Sequence, residues 1–82
     1  MDYVRKAAEG RKLIEQAIVE ALSGTETGYY NSELARLLDL ESDYEGRHDN
    51  YLTYSVLGGL LKRGVVAAEK RGNRIYYTLV AT

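Results

Sequence analysis

Three positive charges surround a tight turn near the end of the chain, and their types and spacing are suited to binding an anion. Residues 70–74 read Lys-Arg-Gly-Asn-Arg, so two cations precede the Gly72-Asn73 turn and one follows it. Guanidinium and ammonium groups in such a position can contact phosphate oxygens, where they fix register without reading sequence. The alternative is a solvated turn, because turns are usually polar and Gly72-Asn73 simply allows positive φ.

A second cluster of side chains that could do chemistry is acidic. Glu41, Asp43, Glu45 and Asp49 lie near the single histidine, His48. Their spacing does not match a calcium loop, in which a 12-residue ligand pattern ends in glutamate after a central glycine. They also provide no set of nucleophile, base and orienting group. We therefore predict no catalytic residue, metal site or cofactor, and no enzymatic activity. The stretch is interpreted as a solvated surface segment whose acids repel phosphate.

The composition indicates one small domain with a modest core. The chain has 82 residues, no cysteine and one histidine, so neither a disulfide nor a thiolate metal site stabilises it. No apolar run approaches the length that crosses a membrane. Residues 1–12 contain no apolar segment of the signal-peptide type. We expect a single domain over residues 1–82, a cytoplasmic location and no membrane partner.

The charge is unevenly distributed along the chain. The net charge is −1, but residues 20–45 carry −6, residues 47–82 carry +4 and the first nineteen carry +1. Such asymmetry indicates an oriented electrostatic surface with its basic end in the last third of the chain. The alternative is the chance unevenness of a small domain.

The apolar spacing predicts the elements that must position these charges. It predicts helix 1 over about residues 2–22, weakened or broken at Gly10, and helix 2 over about 32–38 with Asn31 as its N-cap. Gly28-Tyr29-Tyr30 is consistent with a brief strand between them. Residues 39–50 form a long polar loop, which is unusual for a helix-turn-helix.

The sequence of the last third of the chain predicts a helix followed by a β-hairpin. Helix 3 covers about residues 51–63, is capped by Asp49 or Asn50, and ends at Gly64. Its apolar face comprises Thr53, Val56, Leu57, Leu60 and Leu61. The opposite face comprises Tyr51, Ser55, Gly58, Gly59 and Lys62, with Tyr54 at its margin. The hairpin covers residues 65–80, with strands over about 65–70 and 74–80.

Three segments in this order resemble winged helix-turn-helix domains. NSELARLLDL resembles their second helix, LGGLLKRGVV resembles the end of their recognition helix, and RGNRIYYTL resembles their wing. The resemblance covers roughly residues 13–79. It implies an α+β fold of three helices plus a C-terminal hairpin wing, in the order α-β-α-α-β-β.

The resemblance also implies a function and a set of contacts. It implies binding of double-stranded DNA by a transcriptional regulator, with helix 3 in the major groove and the wing on the phosphate backbone. Similar domains also serve as DNA-targeting modules of nucleases and other DNA enzymes, and a protein-interaction winged helix is a further alternative. Carried over by position, the implied DNA contacts are Tyr51, Tyr54, Ser55, Gly58, Gly59, Lys62, Lys70, Arg71, Asn73 and Arg74. The outward face of helix 3 has no arginine, asparagine or glutamine, the side chains that most often read base edges.

Two further features have both a structural and a functional interpretation. Gly58-Gly59 either permits close packing against another backbone or leaves a bare surface for a ligand. The first part of helix 1 is either a frayed, solvated end or a homodimer contact. Among the tyrosines, Tyr77 and Tyr30 are predicted to be core, whereas Tyr51, Tyr54 and Tyr76 are predicted to face solvent, DNA or a partner.

Overall fold

The computed structural model describes residues 1–42 and 50–80. These residues form three helices and a three-stranded antiparallel sheet, an α+β fold compatible with a winged-helix layout. The elements are α1 (Asp2–Ser23), β1 (Tyr29–Tyr30), α2 (Asn31–Leu37), α3 (Tyr51–Lys62), β2 (Val66–Arg71) and β3 (Arg74–Leu79). Their order along the chain is the predicted α-β-α-α-β-β. The acidic residues Asp43, Glu45 and Asp49, and the histidine His48, lie outside the described residues.

The sheet has the order β1-β3-β2, so the last strand of the chain is central. In the β2–β3 hairpin, Arg71 lies opposite Arg74 across the Gly72-Asn73 turn, where Gly72 has a φ of 63°. On the other side, Tyr29 pairs with Tyr77. Gly28, just before β1, has a φ of 90°, and a Cβ there would lie 2.6 Å from the Tyr77 carbonyl oxygen. Glycine is therefore required where β1 joins the sheet.

The core forms where α1, α2 and α3 meet the inner face of the sheet. Its buried apolar residues are Ile18, Leu22, Leu34, Val56, Leu57, Leu60, Val66 and Tyr77. Four of the five residues predicted for the apolar face of α3 are buried, but Leu61 is 43% exposed. Leu61 lies about 90° from the centre of the buried face, at its margin, which is why the pattern misassigned it.

α1 is continuous through Gly10, so the predicted break there is wrong. Its apolar stripe is buried at Ile18 and Leu22, and it continues at helical spacing to Val4, which is 59% exposed. Tyr3 beside it is 69% exposed. Tyr3 and Val4 at the start of α1 are therefore mostly uncovered by the other described elements.

The predicted helix caps differ in detail from the structure. Asn31 is the first residue of α2 rather than its N-cap, and its side-chain amide donates to the Asn50 carbonyl oxygen at 3.2 Å. Asn50 stands at the N-cap position of α3, but its side chain does not cap that helix. Its Oδ1 accepts from the Ser42 backbone N–H at 2.9 Å, and its own N–H donates to the Ser42 carbonyl at 3.0 Å. Asn50 thus ties the two sides of the predicted loop together.

Candidate functional site

The outward face of α3 is bare at its centre. Gly58 is exposed, and a Cβ built on it meets no atom within 4 Å. A Cβ at Gly59 would meet only the Arg11 Nη2 atom, at 3.7 Å. Neither glycine packs against another backbone, so the close-packing interpretation of the pair is wrong. The bare-surface interpretation stays a prediction.

Side chains border this bare patch on α3. Tyr51 is exposed one helical turn before Ser55, and Lys62 is exposed one turn after Gly58. Tyr51 and Tyr54 have ring centroids 6.4 Å apart. Ser55 is only half exposed. The predicted recognition residues on this helix therefore form one surface that combines aromatic rings, an open backbone and an ammonium group.

Arg11, a residue that sequence reasoning did not select, reaches this surface from α1. Its Nη2 atom donates to the Ser55 carbonyl oxygen at 3.1 Å and to the Ser55 Oγ at 3.3 Å. One turn further along α1, Glu15 forms an ion pair with Arg63 at 2.8 Å. The sequence contains a signal for Arg11, because this cation stands at helical spacing within the apolar stripe between Ala7 and Ile14.

The charged residues of the hairpin tip have different surroundings. Arg71 pairs with Glu69 at 2.7 Å, donates to the Thr27 carbonyl oxygen at 2.6 Å and lies 4.7 Å above the Tyr76 ring. Its guanidinium therefore holds the segment before β1 against the hairpin. Lys70 and Asn73 are exposed, and within residues 1–42 and 50–80 no carboxylate pairs with Lys70.

The Arg74 guanidinium lies over an aromatic ring. The guanidinium carbon is 4.3 Å from the centroid of Tyr30, and Tyr30 meets Tyr76 edge to face at 5.5 Å. Both tyrosines are half buried, so Tyr30 is less buried and Tyr76 more buried than predicted. Tyr77 is buried as predicted. The stacked ring orients Arg74, whose N–H groups have no carboxylate partner among the described residues.

A cleft joins α3 and the hairpin tip. Its volume is about 410 Å³, and its walls include Asn50 just before α3, Tyr54 of α3, and Asn73 and Arg74 of the hairpin. At its base, burial raises the pKa of the Tyr77 hydroxyl, and the nearby Tyr54 raises it further. Tyr77 is therefore neutral at physiological pH and contributes no charge to the cleft. Arg74 supplies the positive charge on the cleft wall.

Two general features bear on the kind of site. Within residues 1–42 and 50–80, no group of three or more histidine, cysteine or acidic side chains is arranged to hold a metal ion. No helix in that part of the chain has the length and apolar character that a membrane span requires.

Comparisons of the chain with protein-family models, curated proteins and solved structures found no match. Function must therefore be argued from the residues themselves.

Proposed function

We propose that the chain binds double-stranded DNA as a winged helix-turn-helix domain, with α3 in the major groove and the β2–β3 hairpin on the phosphate backbone. The cleft carries the proposal, because Tyr54, at the margin of the outward face of α3, and Arg74 of the cationic hairpin tip both line it. A helix beside a basic hairpin can engage a groove and its flanking phosphates together.

The pairing of charges supports the same proposal. Lys6, Arg36, Arg63 and Arg71 each form an ion pair with an acidic residue. Within residues 1–42 and 50–80, six cations form none: Arg5, Arg11 and Lys12 of α1, and Lys62, Lys70 and Arg74 of α3 and the hairpin. Their charges are therefore available to phosphate oxygens, although the chain as a whole carries a net charge of −1.

A salt titration tests the proposal. Fluorescence anisotropy with a random-sequence duplex should show affinity falling linearly on a log–log plot as salt rises. Three phosphate contacts from Lys62, Lys70 and Arg74 correspond to a slope of about −3, because each contributes about −0.9. Absence of duplex binding at low salt would refute the proposal.

Charge reversal locates the binding surface. Lys62→Glu and Lys70→Glu should each weaken binding to every duplex and make the salt dependence shallower. Lys6→Glu is the matched control, because Lys6 is an exposed lysine of α1 that pairs with Asp2. Equal losses for all three variants would show that net charge, rather than this surface, governs binding.

The proposed DNA binding is compatible with two biological roles. A domain that prefers a defined sequence fits a transcriptional regulator, whereas one that binds without preference fits a DNA-targeting module of a larger DNA enzyme. Selection from a random duplex library separates them, because only the first enriches a common site.

The exposed stripe on α1 favours a second candidate, a protein-binding role with homodimerisation through α1. Val4 and Tyr3 extend the buried stripe of α1 beyond the domain, and an uncovered apolar stripe is typical of an interaction surface. Light scattering over a range of concentrations should show dimers, and Val4→Glu should abolish them. A monomer at all concentrations would refute homodimerisation. Binding of duplex DNA by that monomer would still support the first proposal.

A further inference from the structure

α3 lacks the side chains that most often read base edges. Between Tyr51 and Lys62 it contains no arginine, asparagine or glutamine. Its outward face offers tyrosine, serine, glycine and lysine. Direct readout in the major groove most often uses arginine at guanine and asparagine or glutamine at adenine. Lysine and serine can also contact bases, so Ser55 and Lys62 can do so from α3, but a guanidinium at this face must come from a neighbouring element.

Arg11 of α1 brings a guanidinium to the bare part of that face. Its Nη2 atom contacts both the backbone and the hydroxyl of Ser55. The same atom lies 3.7 Å from where a Cβ of Gly59 would stand, one helical turn along α3. A methyl group there would only touch the guanidinium, but a longer side chain would compete for its space. Gly59 thus leaves room for Arg11 on α3.

The position of Arg11 is held from both directions. Ser55 holds the guanidinium, and the Glu15–Arg63 ion pair fixes α1 against the end of α3 one turn away. The Glu15 side chain is only 20% exposed, so this pair is better shielded from solvent than the ion pairs with Asp2 or Glu41. A guanidinium fixed in this way loses little conformational freedom when it meets a ligand.

Arg11 also retains unused donors. Among residues 1–42 and 50–80, no acceptor contacts its Nε or Nη1 atom, and no carboxylate pairs with it. Arginine has five N–H donors and no acceptor. In the major groove, guanine presents two neighbouring acceptors, O6 and N7, whereas adenine presents an acceptor beside a donor. Arg11 can therefore donate to a guanine acceptor from Nε or Nη1, and a bidentate contact with O6 and N7 would also use Nη2, which Ser55 engages.

We infer that Arg11 is a specificity-determining residue that donates to a guanine edge in the major groove, with Ser55 as its positioning residue. The open backbone at Gly58 and Gly59 lets α3 approach the base edges closely enough for a side chain of α1 to reach them. This inference rests on the proposed duplex binding. It assigns sequence readout to α1 rather than to the helix that occupies the groove.

The test uses the full chain and the duplex that it selects from a random library. Affinity is measured for that duplex and for variants in which each G·C pair is replaced by A·T. Arg11→Gln should weaken binding to the selected duplex about 5- to 150-fold and abolish the preference at one guanine position. Arg11→Lys keeps the charge but loses the planar fork, so it should keep non-specific affinity and lose that preference.

Two further variants provide the control and an independent approach. Lys12→Gln removes an exposed neighbouring charge of the same sign and should leave the preference at every position unchanged. Gly59→Leu should displace the guanidinium while favouring the helix, so it should abolish the same guanine preference in a folded protein. Thermal unfolding of each variant verifies the fold.

Several results would overturn the inference while duplex binding stands. One is that Arg11→Gln leaves the preference at every guanine position of the selected site unchanged. Another is that Arg11→Gln weakens binding to all sequences by the same factor and reduces the salt slope by about one. That result would identify Arg11 as a phosphate contact. If the wild-type chain binds no duplex at low salt, the proposed function and this inference fail together.

Discussion

Replacement of Gly58 by alanine should stabilise the domain and weaken its binding to DNA. Gly58 lies in the interior of α3, its φ is not positive, and a Cβ there meets no atom within 4 Å. The new methyl group therefore causes no clash and no backbone strain. It also stands at the centre of the outward face, between the exposed Tyr51 and Lys62.

The size of the stability gain follows from this geometry. Alanine is favoured over glycine in a helix interior by about 1 kcal/mol, because glycine loses more backbone freedom on folding. For a domain of 60–100 residues, about 1 kcal/mol raises the unfolding temperature by roughly 4–8 °C. The effect on binding has the opposite sign. Gly58→Leu, which holds the backbone away from its ligand, should weaken duplex binding about tenfold, equivalent to about 1.4 kcal/mol.

Gly10→Ala provides the matched control. Gly10 also lies inside a helix, and a Cβ on it also meets no atom within 4 Å, but it belongs to α1 rather than to the α3 face. Both alanine variants should gain similar stability by calorimetry, and only the Gly58 variant should lose affinity in the anisotropy assay. A loss of stability in Gly58→Ala would refute the argument about open space. Equal affinity for Gly58→Leu, Gly10→Ala and the wild type would refute the role of the bare face.

Two other residues give predictions of a different kind. Asn50→Ala should lower the free energy of unfolding by about 1–3 kcal/mol, because the Ser42 N–H loses its acceptor and alanine must adopt a φ of 58°. Asn50→Gly should lose less, since glycine tolerates that φ, and equal losses in urea unfolding would exclude a backbone contribution. The raised pKa of Tyr77 means that the unfolded chain ionises this hydroxyl first as pH rises. Its stability contribution is therefore complete below about pH 10 and is lost as pH rises from there through the folded pKa. Unfolding curves from pH 8 to 11 should show a steeper alkaline decline for the wild type than for Tyr77→Phe, and parallel curves would contradict the assignment.

Local chemistry explains why much of the fold could be predicted from the sequence. The apolar spacing of α1 and α3, the alternation in β3 and the Gly72-Asn73 turn are short-range signals, and each corresponds to an observed element. Two details depend on tertiary contacts that local patterns do not show. Asn50 serves Ser42 instead of its own helix, and Gly28 is required because of the Tyr77 carbonyl oxygen.

The candidate site was less predictable than the fold for the same reason. Helical periodicity identified the outward residues of α3, but it could not show that Arg11 reaches Ser55 across 44 residues of sequence. The charges at the hairpin tip looked equivalent in the sequence. In the structure Arg71 is held by Glu69 and by the Thr27 carbonyl, whereas Lys70 has no such partner among the described residues. Periodicity assigns a face, whereas only tertiary contacts show which charges on it are already paired.

The two glycines of α3 support a role for an external ligand. Together they weaken the helix by about 2 kcal/mol relative to alanine, a large fraction of the 5–15 kcal/mol that stabilises a typical domain. No internal contact requires both, because a side chain at Gly58 meets open space and one at Gly59 meets only Arg11. The proposed duplex binding supplies such a requirement from outside the chain, because a bare surface at this position permits close approach of DNA to the helix backbone. The same requirement explains the course of Arg11, since a guanidinium that lies over Gly59 adds a donor to the face without adding a side chain to α3.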